Sequence, residues 1–374
     1  MTYEVVIIGG GLAGLSAAID LSKKGIAVCL IEKTAYPRHK VCGEYVSNEV
    51  LAYLHTLGFD PYEFGAHKIK SLAVSNHAGQ VISSPLKMGG FSLSRYRFDK
   101  ALADLALKYG VHLRQDSVID IKFLNDQFSI ITKNGNHLSA RLVIGAHGKR
   151  SIIDKKIERA FIQKSAPFLA VKAHYYGEFP DHVVALHNFS GGYCGLSKVE
   201  NNTINACYIV DYASFKKFKN IATFQKKVMA KNPHLKHFFE NSTLIFEQVM
   251  SIGQISFLPK QLISKHILMC GDSAGMIHPL CGNGMSMAIQ SAQILSTLIA
   301  DHLDKPNFDR LSLENQYRQL WNKSFKSRIR TGRVLARLFR YESLSKYLLY
   351  TLGMTPRLLP KIIDMTHGKP LVIS

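Results

Sequence analysis

The first 32 residues constrain the fold of this chain more than any other stretch. Tyr3 to Ile8 is a short, β-branched, apolar run, which is typical of a strand buried on both faces. A glycine-rich turn follows directly, and a helical pattern then runs to Gly25. A second apolar run over residues 26–31 ends at Glu32. Together these elements predict a βαβ unit with a GxGxxG turn between the first strand and the helix.

Each glycine of that turn has a physical role. Gly9 permits the tight turn, Gly11 lets the backbone approach a pyrophosphate, and Gly14 lets the helix pack closely on the strand. The helix N-terminus supplies amide groups and the positive end of a dipole. Glu32, 18 residues after Gly14, is placed to accept hydrogen bonds from the ribose hydroxyls of an adenosine. The sequence therefore predicts a dinucleotide site.

The composition is that of a globular chain. Of the 374 residues, 47% are hydrophobic and 20% are charged, which excludes a disordered or collagen-like protein. The sequence has no run of 18 apolar residues that would predict a spanning helix, and its start, MTYEVVIIGGG, does not resemble a secretory signal. We therefore expect a cytoplasmic protein, with peripheral contact to the inner face of the membrane as an open alternative.

The net charge is strongly basic. Lys and Arg number 47 against 27 Asp and Glu, a formal charge of +20. Such a field favours polyanions, anionic lipid surfaces or an anionic cofactor, and a basic background without a specific partner is the alternative. The six cysteines occur singly, with no CxxC pair, so we expect neither a disulfide set nor a metal site.

Patterns beyond the first βαβ unit predict an α/β protein with a helical C-terminal section. The middle of the chain reads mostly as strands, with a helix expected over Ser214–Ala230. We expect these strands to form a β-sheet substrate domain inserted into a Rossmann-type nucleotide-binding domain. The expected ranges are 1–70, 95–165 and 251–310 for the nucleotide-binding domain, 71–94 and 166–250 for the substrate domain, and 311–374 for the helical section.

A second motif lies near residue 270. A short apolar strand over 265–270 ends in Gly271 and Asp272, and a Pro-x-x-Gly-x-Gly turn at 279–284 opens a long helical pattern. With the N-terminal motif, this arrangement resembles the FAD-dependent oxidoreductases of the glutathione-reductase-like group, in particular the geranylgeranyl reductase and aromatic hydroxylase branch. The resemblance implies that Asp272 binds a ribityl hydroxyl. It also places the isoalloxazine ring against Pro279, Gly282 and Gly284.

Three shorter segments agree with this resemblance. PRHKVCG at 37–43 is similar to a Pro-x-x-Lys-x-Cys-Gly segment, RYRFD at 95–99 to an Arg-x-x-Phe-Asp helix start, and LVIGAHG at 142–148 to a strand with an Ala-Asp-Gly turn. The resemblance implies FAD as cofactor. The residues expected to bind it are Gly9, Gly11, Ala13, Gly14, Glu32, Lys33, Lys40, Cys42, Gly43, Arg95, Val118, Gly271, Asp272, Pro279, Gly282 and Gly284.

The sequence also departs from the family pattern. His147 stands where the Ala-Asp-Gly turn has its aspartate, which puts the contacts of that acid in doubt. Gly195, Ser197 and Lys198 stand where prenyl reductases have Trp, Phe and Pro after Gly-Gly-Tyr, which argues against an isoprenoid reductase. Related halogenases carry Trp-x-Trp-x-Ile-Pro, and this chain has a single tryptophan, Trp321, so halogenation is not expected.

Residues beside the flavin are the candidates for catalysis, because the cofactor supplies the difficult chemistry. Glu44, which stands where the family has a glycine run, is a candidate acid near the substrate, or else a cap or ion-pair partner. Cys42 is a candidate redox group, or else a small side chain packed against the ring. His278 precedes Pro279 and could approach the flavin, with a core or surface position as the favoured alternative.

The stretch from Trp321 to Arg340 has an amphipathic helical pattern with no acid. The favoured interpretation is a helix docked on its own domain, and the alternative is a basic helix lying on an anionic membrane. No nucleic-acid-binding motif accompanies the charge, so we expect no nucleic-acid partner. The basic residues of this stretch are Lys323, Lys326, Arg330, Arg333, Arg337 and Arg340.

These observations lead to a functional hypothesis. We expect an oxidoreductase that uses FAD and acts on a hydrophobic, aromatic or lipid-like small molecule. Because the sequence holds no second GxGxxG, NAD(P)H is expected to bind only transiently as the reductant. Hydroxylation is favoured, reduction of a carbon–carbon double bond is the alternative, and a non-catalytic or electron-carrier flavoprotein at a membrane surface belongs to another class. The substrate and the oligomeric state stay open.

Overall fold

The computed structural model describes residues 1–218, 220–340, 342–355 and 357–372. Side chains are described in these ranges except at residues 340 and 342–344. The side chain of Arg340, one of the basic residues expected on the C-terminal helix, therefore lies outside the described part.

Two β-sheets and the helices around them make up the described chain, which confirms the predicted α/β class. The strands are β1 (Thr2–Ile8), β2 (Val28–Glu32), β3 (Tyr45–Ser47), β4 (His67–Ser75), β5 (Val81–Ser92), β6 (His112–Gln115), β7 (Val118–Leu124), β8 (Gln127–Thr132), β9 (His137–Gly145), β10 (Phe168–Tyr176), β11 (Val183–Phe189), β12 (Gly192–Val199), β13 (Thr203–Asp211), β14 (Thr243–Leu244), β15 (Met250–Ile255), β16 (Ile263–Ser264) and β17 (Ile267–Met269). The helices are α1 (Leu12–Lys23), α2 (Leu51–Thr56), α3 (Arg95–Lys108), α4 (Ile152–Lys156), α5 (Tyr212–Lys216), α6 (Ile221–Lys227), α7 (Pro233–Asn241), α8 (Gly284–Leu303), α9 (Arg310–Arg340), α10 (Glu342–Met354) and α11 (Leu358–Thr366).

The first sheet is built on parallel strands in the order β16-β17-β9-β1-β2-β6, with the β7–β8 hairpin attached to β9. β1 pairs in parallel with both β2 and β9, and β17 pairs in parallel with β9. The predicted βαβ unit is therefore present as β1–α1–β2. Its strands are apolar because both faces of the sheet are covered. The carboxyl ends of β1, β9 and β17 meet at one edge, where such sheets bind ligands.

The second sheet is mostly antiparallel, in the order β14-β10-β13-β12-β11-β4-β5-β3, with β15 also paired to β10. Only its β4–β11 pair is parallel among the described strand pairs. β3 and the first residues of β4 fall in the range assigned above to the nucleotide-binding domain, and so does most of β15. All three pair in the second sheet, so the chain crosses between the two sheets more often than the expected ranges imply.

The helical stretch expected over Ser214–Ala230 is helical but interrupted. The structure has two short helices there, α5 and α6, followed by a 3₁₀ turn. Asn220 starts α6 as its N-cap, because its side chain accepts a hydrogen bond from the Thr223 amide. Such a cap takes a non-helical backbone conformation, so it interrupts a helix that the apolar spacing alone would continue.

The long helix α9 is docked on the first sheet's side of the molecule. Trp321, Phe325 and Ile329 are buried in the same core cluster as β1 and α1. The Trp321 ring lies 2.8 Å from the position that a Cβ on Gly275 would take. The basic residues Lys323, Lys326, Arg330 and Arg337 are exposed, while Arg333 is half-buried. The structure thus shows the docked arrangement that the amphipathic pattern favoured.

No described helix is long and apolar enough to cross a bilayer. Within the described residues, no group of three His, Cys, Asp or Glu side chains is placed to hold a metal ion. All six cysteines are free thiols.

A buried phenol of α9 provides a test of this packing. The Tyr317 hydroxyl donates to the Met269 carbonyl at 2.5 Å and lies 3.2 Å from the Ser291 hydroxyl. Tyr317→Phe leaves that buried carbonyl without its donor, so we expect the free energy of unfolding to fall by about 1–3 kcal/mol. Urea denaturation measures this loss. Tyr347→Phe, at an exposed position, is the matched control and should be neutral; equal stability of the two variants would contradict the packing.

Candidate functional site

The turn between β1 and α1 leaves its backbone open to a ligand. Gly9 has a φ of +109°, and a Cβ there would lie 2.4 Å from the Ala146 carbonyl oxygen. A Cβ on Gly14 would lie 1.9 Å from the Gly9 carbonyl oxygen, so both positions require glycine. Gly11 begins α1 without a side-chain cap, and the first turn of the helix holds no acidic residue. An anion at this terminus would meet amide groups and the positive end of the helix dipole.

Two largely buried cations lie at the same terminus. Lys40 Nζ and Arg95 Nη2 lie 3.7 and 3.6 Å from the position that a Cβ on Gly11 would take. Arg95 binds Asp99 through two bonds of 2.7 and 2.8 Å, and Lys40 Nζ is 2.7 Å from the same carboxylate. Burial would raise the pKa of Asp99, but the two cations outweigh it and hold that pKa below its usual range. The trio carries one net positive charge, which suits a phosphate ligand.

Glu32 ends β2 at the neighbouring position of the sheet edge. Its carboxylate accepts hydrogen bonds from the amides of Gly10 at 2.7 Å and Thr34 at 3.0 Å, and it pairs with Arg38 at 2.9 Å. The Asp116 amide donates to the Glu32 carbonyl, which brings the start of β7, and with it Val118, close to Glu32. The side chain of Lys33 is exposed at this end.

The second glycine-rich turn closes the edge from the side of α8. Gly271 has a φ of +60°, and a Cβ there would lie 2.8 Å from Ala13 Cβ, so the end of β17 touches the start of α1. Gly271, Asp272 and Gly284 line one small cleft together with Trp321. Nearby, Gly282 has a φ of +64° and follows a 3₁₀ turn that begins at Pro279.

Residues 42 and 43 lie between the two turns. Cys42 Sγ is 3.5 Å from Met285 Sδ, in the first turn of α8. Gly43 is exposed, and a Cβ added to it would meet no atom within 4 Å. The structure therefore brings together the two helix starts, Lys40, Arg95, Cys42 and Gly43 along one edge of the first sheet.

The chain matches a known protein family over most of its length. A model of an FAD-binding domain matches residues 2–312, most of the chain. The chain belongs to the FAD-binding domain family. It is an FAD-dependent oxidoreductase, which confirms the resemblance inferred from its motifs, and FAD is its cofactor.

Two of the similar proteins are named for different reactions. One relative, a digeranylgeranylglycerophospholipid reductase of Methanosarcina acetivorans, is 24% identical over 336 residues, 86% of this chain and 81% of its own length. Another, a 1H-pyrrole-2-carbonyl-[peptidyl-carrier protein] brominase of Pseudoalteromonas luteoviolacea, is 23% identical over 325 residues, 81% of this chain and 78% of its own. Among solved structures, the flavin-dependent brominase Bmp2 superposes with a TM-score of 0.81 at 19% identity, covering 98% of this chain and 93% of that one.

The residues at the sheet edge fit FAD. The start of α1 with Lys40 and Arg95 suits its pyrophosphate, and Glu32 suits its ribose hydroxyls. Three buried polar atoms beside these segments have no hydrogen-bond partner in the described chain: His147 Nδ1, Tyr45 Oη and Asn205 Oδ1. Such orphaned atoms are uncommon in proteins, and a polar cofactor offers them partners.

Asp272, the residue expected to hold the ribityl chain, is supported by two lysines that the motifs did not reveal. Lys260 Nζ donates to the Asp272 carbonyl at 2.7 Å and to the Lys149 carbonyl at 2.8 Å. Burial lowers the pKa of Lys260 to about 8, opposed by Asp272. Burial also lowers the pKa of Lys149, which interacts electrostatically with Asp272, Cys207 and Cys42. These lysines add positive charge between the cofactor edge and the second sheet.

His147, which replaces the usual aspartate, has its own partner. Its Nε2 lies 3.0 Å from Asp154 Oδ1, and Arg159 binds the same oxygen at 2.8 Å. Arg159 also donates to the Ser273 carbonyl at 2.9 Å. The substitution therefore turns an acidic position into part of a buried His–Asp–Arg group that supports the end of β17.

Glu44 lies between the two sheets and is fully buried. Its carboxylate is bound by the Lys172 ammonium, by His174 Nε2 at 2.8 Å and by the Arg95 amide at 2.7 Å. Lys172 and His174 both lie on β10, two residues apart and therefore on one face of the strand. Glu44 itself has a φ of +58°, an uncommon conformation for a residue other than glycine.

This environment keeps Glu44 ionised. Burial would raise its pKa, but Lys172 and His174 outweigh burial and lower the pKa to about 2 from a usual 4.5. Of the two roles left open for Glu44, the geometry shows the ion-pair partner, and a group with so low a pKa carries no proton to donate near neutral pH. Neither Lys172 nor His174 belongs to a recognisable motif. The one sequence signal for them was the presence of two ionisable residues two positions apart on an apolar strand.

Removing the Lys40 charge should weaken cofactor binding. In Lys40→Met the start of α1 loses a cation, and we expect the dissociation constant for FAD to rise about tenfold or more. Titration of the apoprotein with FAD, followed by quenching of flavin fluorescence, measures the change. Lys100→Met is the control and should bind as the wild type does, because Lys100 lies on α3, is half-exposed and pairs with Asp104. Unchanged FAD affinity in the Lys40 variant would place the pyrophosphate elsewhere.

Removing the Glu44 charge should destabilise the protein. Glu44→Gln leaves the Lys172 ammonium buried and unpaired, and we expect a loss of about 3–5 kcal/mol in the free energy of unfolding near neutral pH. The double variant Glu44→Gln with Lys172→Met removes both charges and should recover part of that loss.

The same pair predicts a pH dependence. The folded-state pKa of Glu44 is depressed, so its stabilisation is fully present above about pH 4.5 and is lost as the pH falls towards 2. The stability difference between the wild type and Glu44→Gln should therefore narrow in acid. Urea denaturation at several pH values tests this, and a difference that stayed constant down to pH 3 would contradict the ion pair.

Proposed function

We propose that this FAD enzyme takes electrons from NAD(P)H and hydroxylates a hydrophobic, aromatic or lipid-like small molecule. The observation that carries the proposal is an apolar, aromatic cluster on the second sheet, which packs against the turn before α8. Its side chains offer mainly carbon to a substrate bound at that turn.

Aromatic rings surround the start of that turn. His278 packs 4.6 Å from Phe257 and between 6.2 and 6.3 Å from Tyr193 and Phe168, measured between ring centroids. Leu280 joins the same cluster with residues of β10, β12 and β13. Such a surface binds apolar substrates through burial of their carbon rather than through directed polar contacts.

His278 is not placed as an acid. Burial lowers its pKa to about 4, so the imidazole is neutral near pH 7, and its Nδ1 accepts a long hydrogen bond, 3.4 Å, from the Leu280 amide. Burial likewise holds the pKa of Tyr193 well above 10 and keeps the phenol protonated. Both residues would therefore border an apolar substrate without exchanging a proton with it, while the charged groups act on the cofactor.

The reaction balances with two electrons from one nicotinamide. Bound FAD supplies the transfer of a hydride equivalent from NAD(P)H and its use in splitting dioxygen. One oxygen atom enters the substrate as a hydroxyl group, and the other leaves as water with the hydride and one proton. The chain's own task is to hold FAD through Lys40, Arg95 and Glu32 and to hold an apolar substrate against the α8 turn.

Reduction of a double bond is the second candidate, because one relative is named a digeranylgeranylglycerophospholipid reductase. The positions that distinguish prenyl reductases argue against it. Lys198 pairs with Asp181 at 2.6 Å, and Gly195 carries no side chain. The second sheet thus presents a salt bridge and a glycine where that branch carries large apolar residues.

Turnover with a panel of hydrophobic phenols and prenyl lipids separates the candidates. We expect NADPH or NADH oxidation, oxygen uptake and hydroxylated product in equal amounts, with isotope-labelled oxygen found in the product. A saturated product formed without oxygen would replace hydroxylation with double-bond reduction. Tight FAD binding with no oxidation of either nicotinamide would instead favour a non-catalytic flavoprotein or electron carrier. Controls without protein and with free FAD set the background of uncoupled oxidation.

A further inference from the structure

Helix α10 has two unlike faces. Ser345, Leu349 and Leu352 are buried against the protein, with exposed fractions of 0, 0 and 4%. On the opposite side, at spacings of three and four residues, Tyr347, Tyr350 and Met354 are exposed by 71, 58 and 70%. Because residues i, i+3 and i+7 share one face of a helix, these three side chains form one exposed apolar stripe. We call it the α10 stripe.

The segment that contains the α10 stripe is basic. Residues 345–372 contain four basic residues, Lys346, Arg357, Lys361 and Lys369, and one acid, Asp364. Lys346, Arg357 and Lys361 are exposed, and Asp364 already pairs with Lys87 at 3.2 Å. The α10 stripe therefore belongs to an exposed part of the chain with a net positive charge.

We propose that the α10 stripe is a docking surface for an anionic lipid bilayer. Tyrosine places its apolar ring at the membrane boundary and its hydroxyl in the head-group layer, and methionine can enter the acyl region. Lysine and arginine beside such a stripe attract anionic head groups. A second copy of this chain is a poorer occupant, since two chains of charge +20 repel each other.

The proposed membrane contact lies on α10 and not on α9, where the amphipathic pattern of the sequence suggested it. The apolar face of α9 that contains Trp321, Phe325 and Ile329 is buried in the core. The exposed large apolar residues of α9, Leu311, Leu320 and Val334, are at least nine residues apart, so they form no continuous stripe beside its basic residues. The α10 stripe supplies what α9 lacks.

Vesicle sedimentation tests the proposal with the FAD-loaded protein, without nicotinamide or substrate, so its result is independent of the proposed reaction. We expect binding to phosphatidylcholine vesicles containing about one third phosphatidylglycerol, weaker at high salt. The triple variant Tyr347→Ser, Tyr350→Ser, Met354→Ser should lower the partition coefficient by about tenfold or more. The matched control, Leu107→Ser, Leu124→Ser, Ile152→Ser, changes three exposed apolar residues elsewhere and should bind normally.

Charge variants refine the test. Lys346→Gln and Lys361→Gln should each weaken binding about fivefold, while Lys122→Gln and Lys133→Gln on the β7–β8 hairpin should not. Emission from the buried Trp321 and the flavin absorbance spectrum verify that each variant is folded and loaded.

Three results would overturn the proposal. The first is a failure of the wild-type protein to bind the anionic vesicles at low salt. The same holds if the triple serine variant binds as well as the wild type while Arg330→Glu with Arg337→Glu does not, since the contact would then lie on α9. A dimer that the serine variant converts to monomer, without any change in vesicle binding, would make the α10 stripe an interface between copies.

Discussion

The ion-paired carboxylate of Glu44 is the contact on which the arrangement of the two sheets depends. It joins β10 of the second sheet, through Lys172 and His174, to the first amide of α3. The same Arg95 that supplies this amide uses its side chain to hold Asp99 at the pyrophosphate end of the cofactor site. A chain of ion pairs and hydrogen bonds therefore runs from β10 through Glu44, Arg95 and Asp99 to Lys40 at the start of α1, and a change of charge at one end alters the electrostatics of the other.

Local sequence was sufficient for the nucleotide-binding half. The turn at Gly9, Gly11 and Gly14 and the acid Glu32 all lie within one βαβ unit, whose geometry is set by neighbouring residues. These residues and Asp272 were sufficient to predict FAD as the cofactor. The glycines are informative because a side chain at Gly9 or Gly14 would collide with neighbouring backbone. The placement of Lys40 and Arg95 at the start of α1 agrees with their expected role in binding FAD.

Other features lay beyond what a local pattern can show. Glu44 and Lys172 are 128 residues apart in the chain, and only the packing of the two sheets brings them together. The helix expected over Ser214–Ala230 is interrupted because one polar side chain, Asn220, caps a new helix within an apolar pattern. In both cases the role of a polar side chain depends on its ion-pair or hydrogen-bond partner. The spacing of apolar residues gives no information about such partners.

The contacts of α9 fix more than its own position. Trp321 fills the space beside Gly275, and 11 residues later Gly332 lies where a Cβ would meet Cys281 Sγ at 3.0 Å. Two such points, about 16 Å apart along the helix axis, set both the register and the rotation of α9 against the segment 275–281. α10 packs on α9. A bilayer bound at α10 would therefore hold the proposed substrate site at a constant height and angle above the membrane. The reach of a lipid tail, as well as its polarity, would then select which substrates arrive at the flavin.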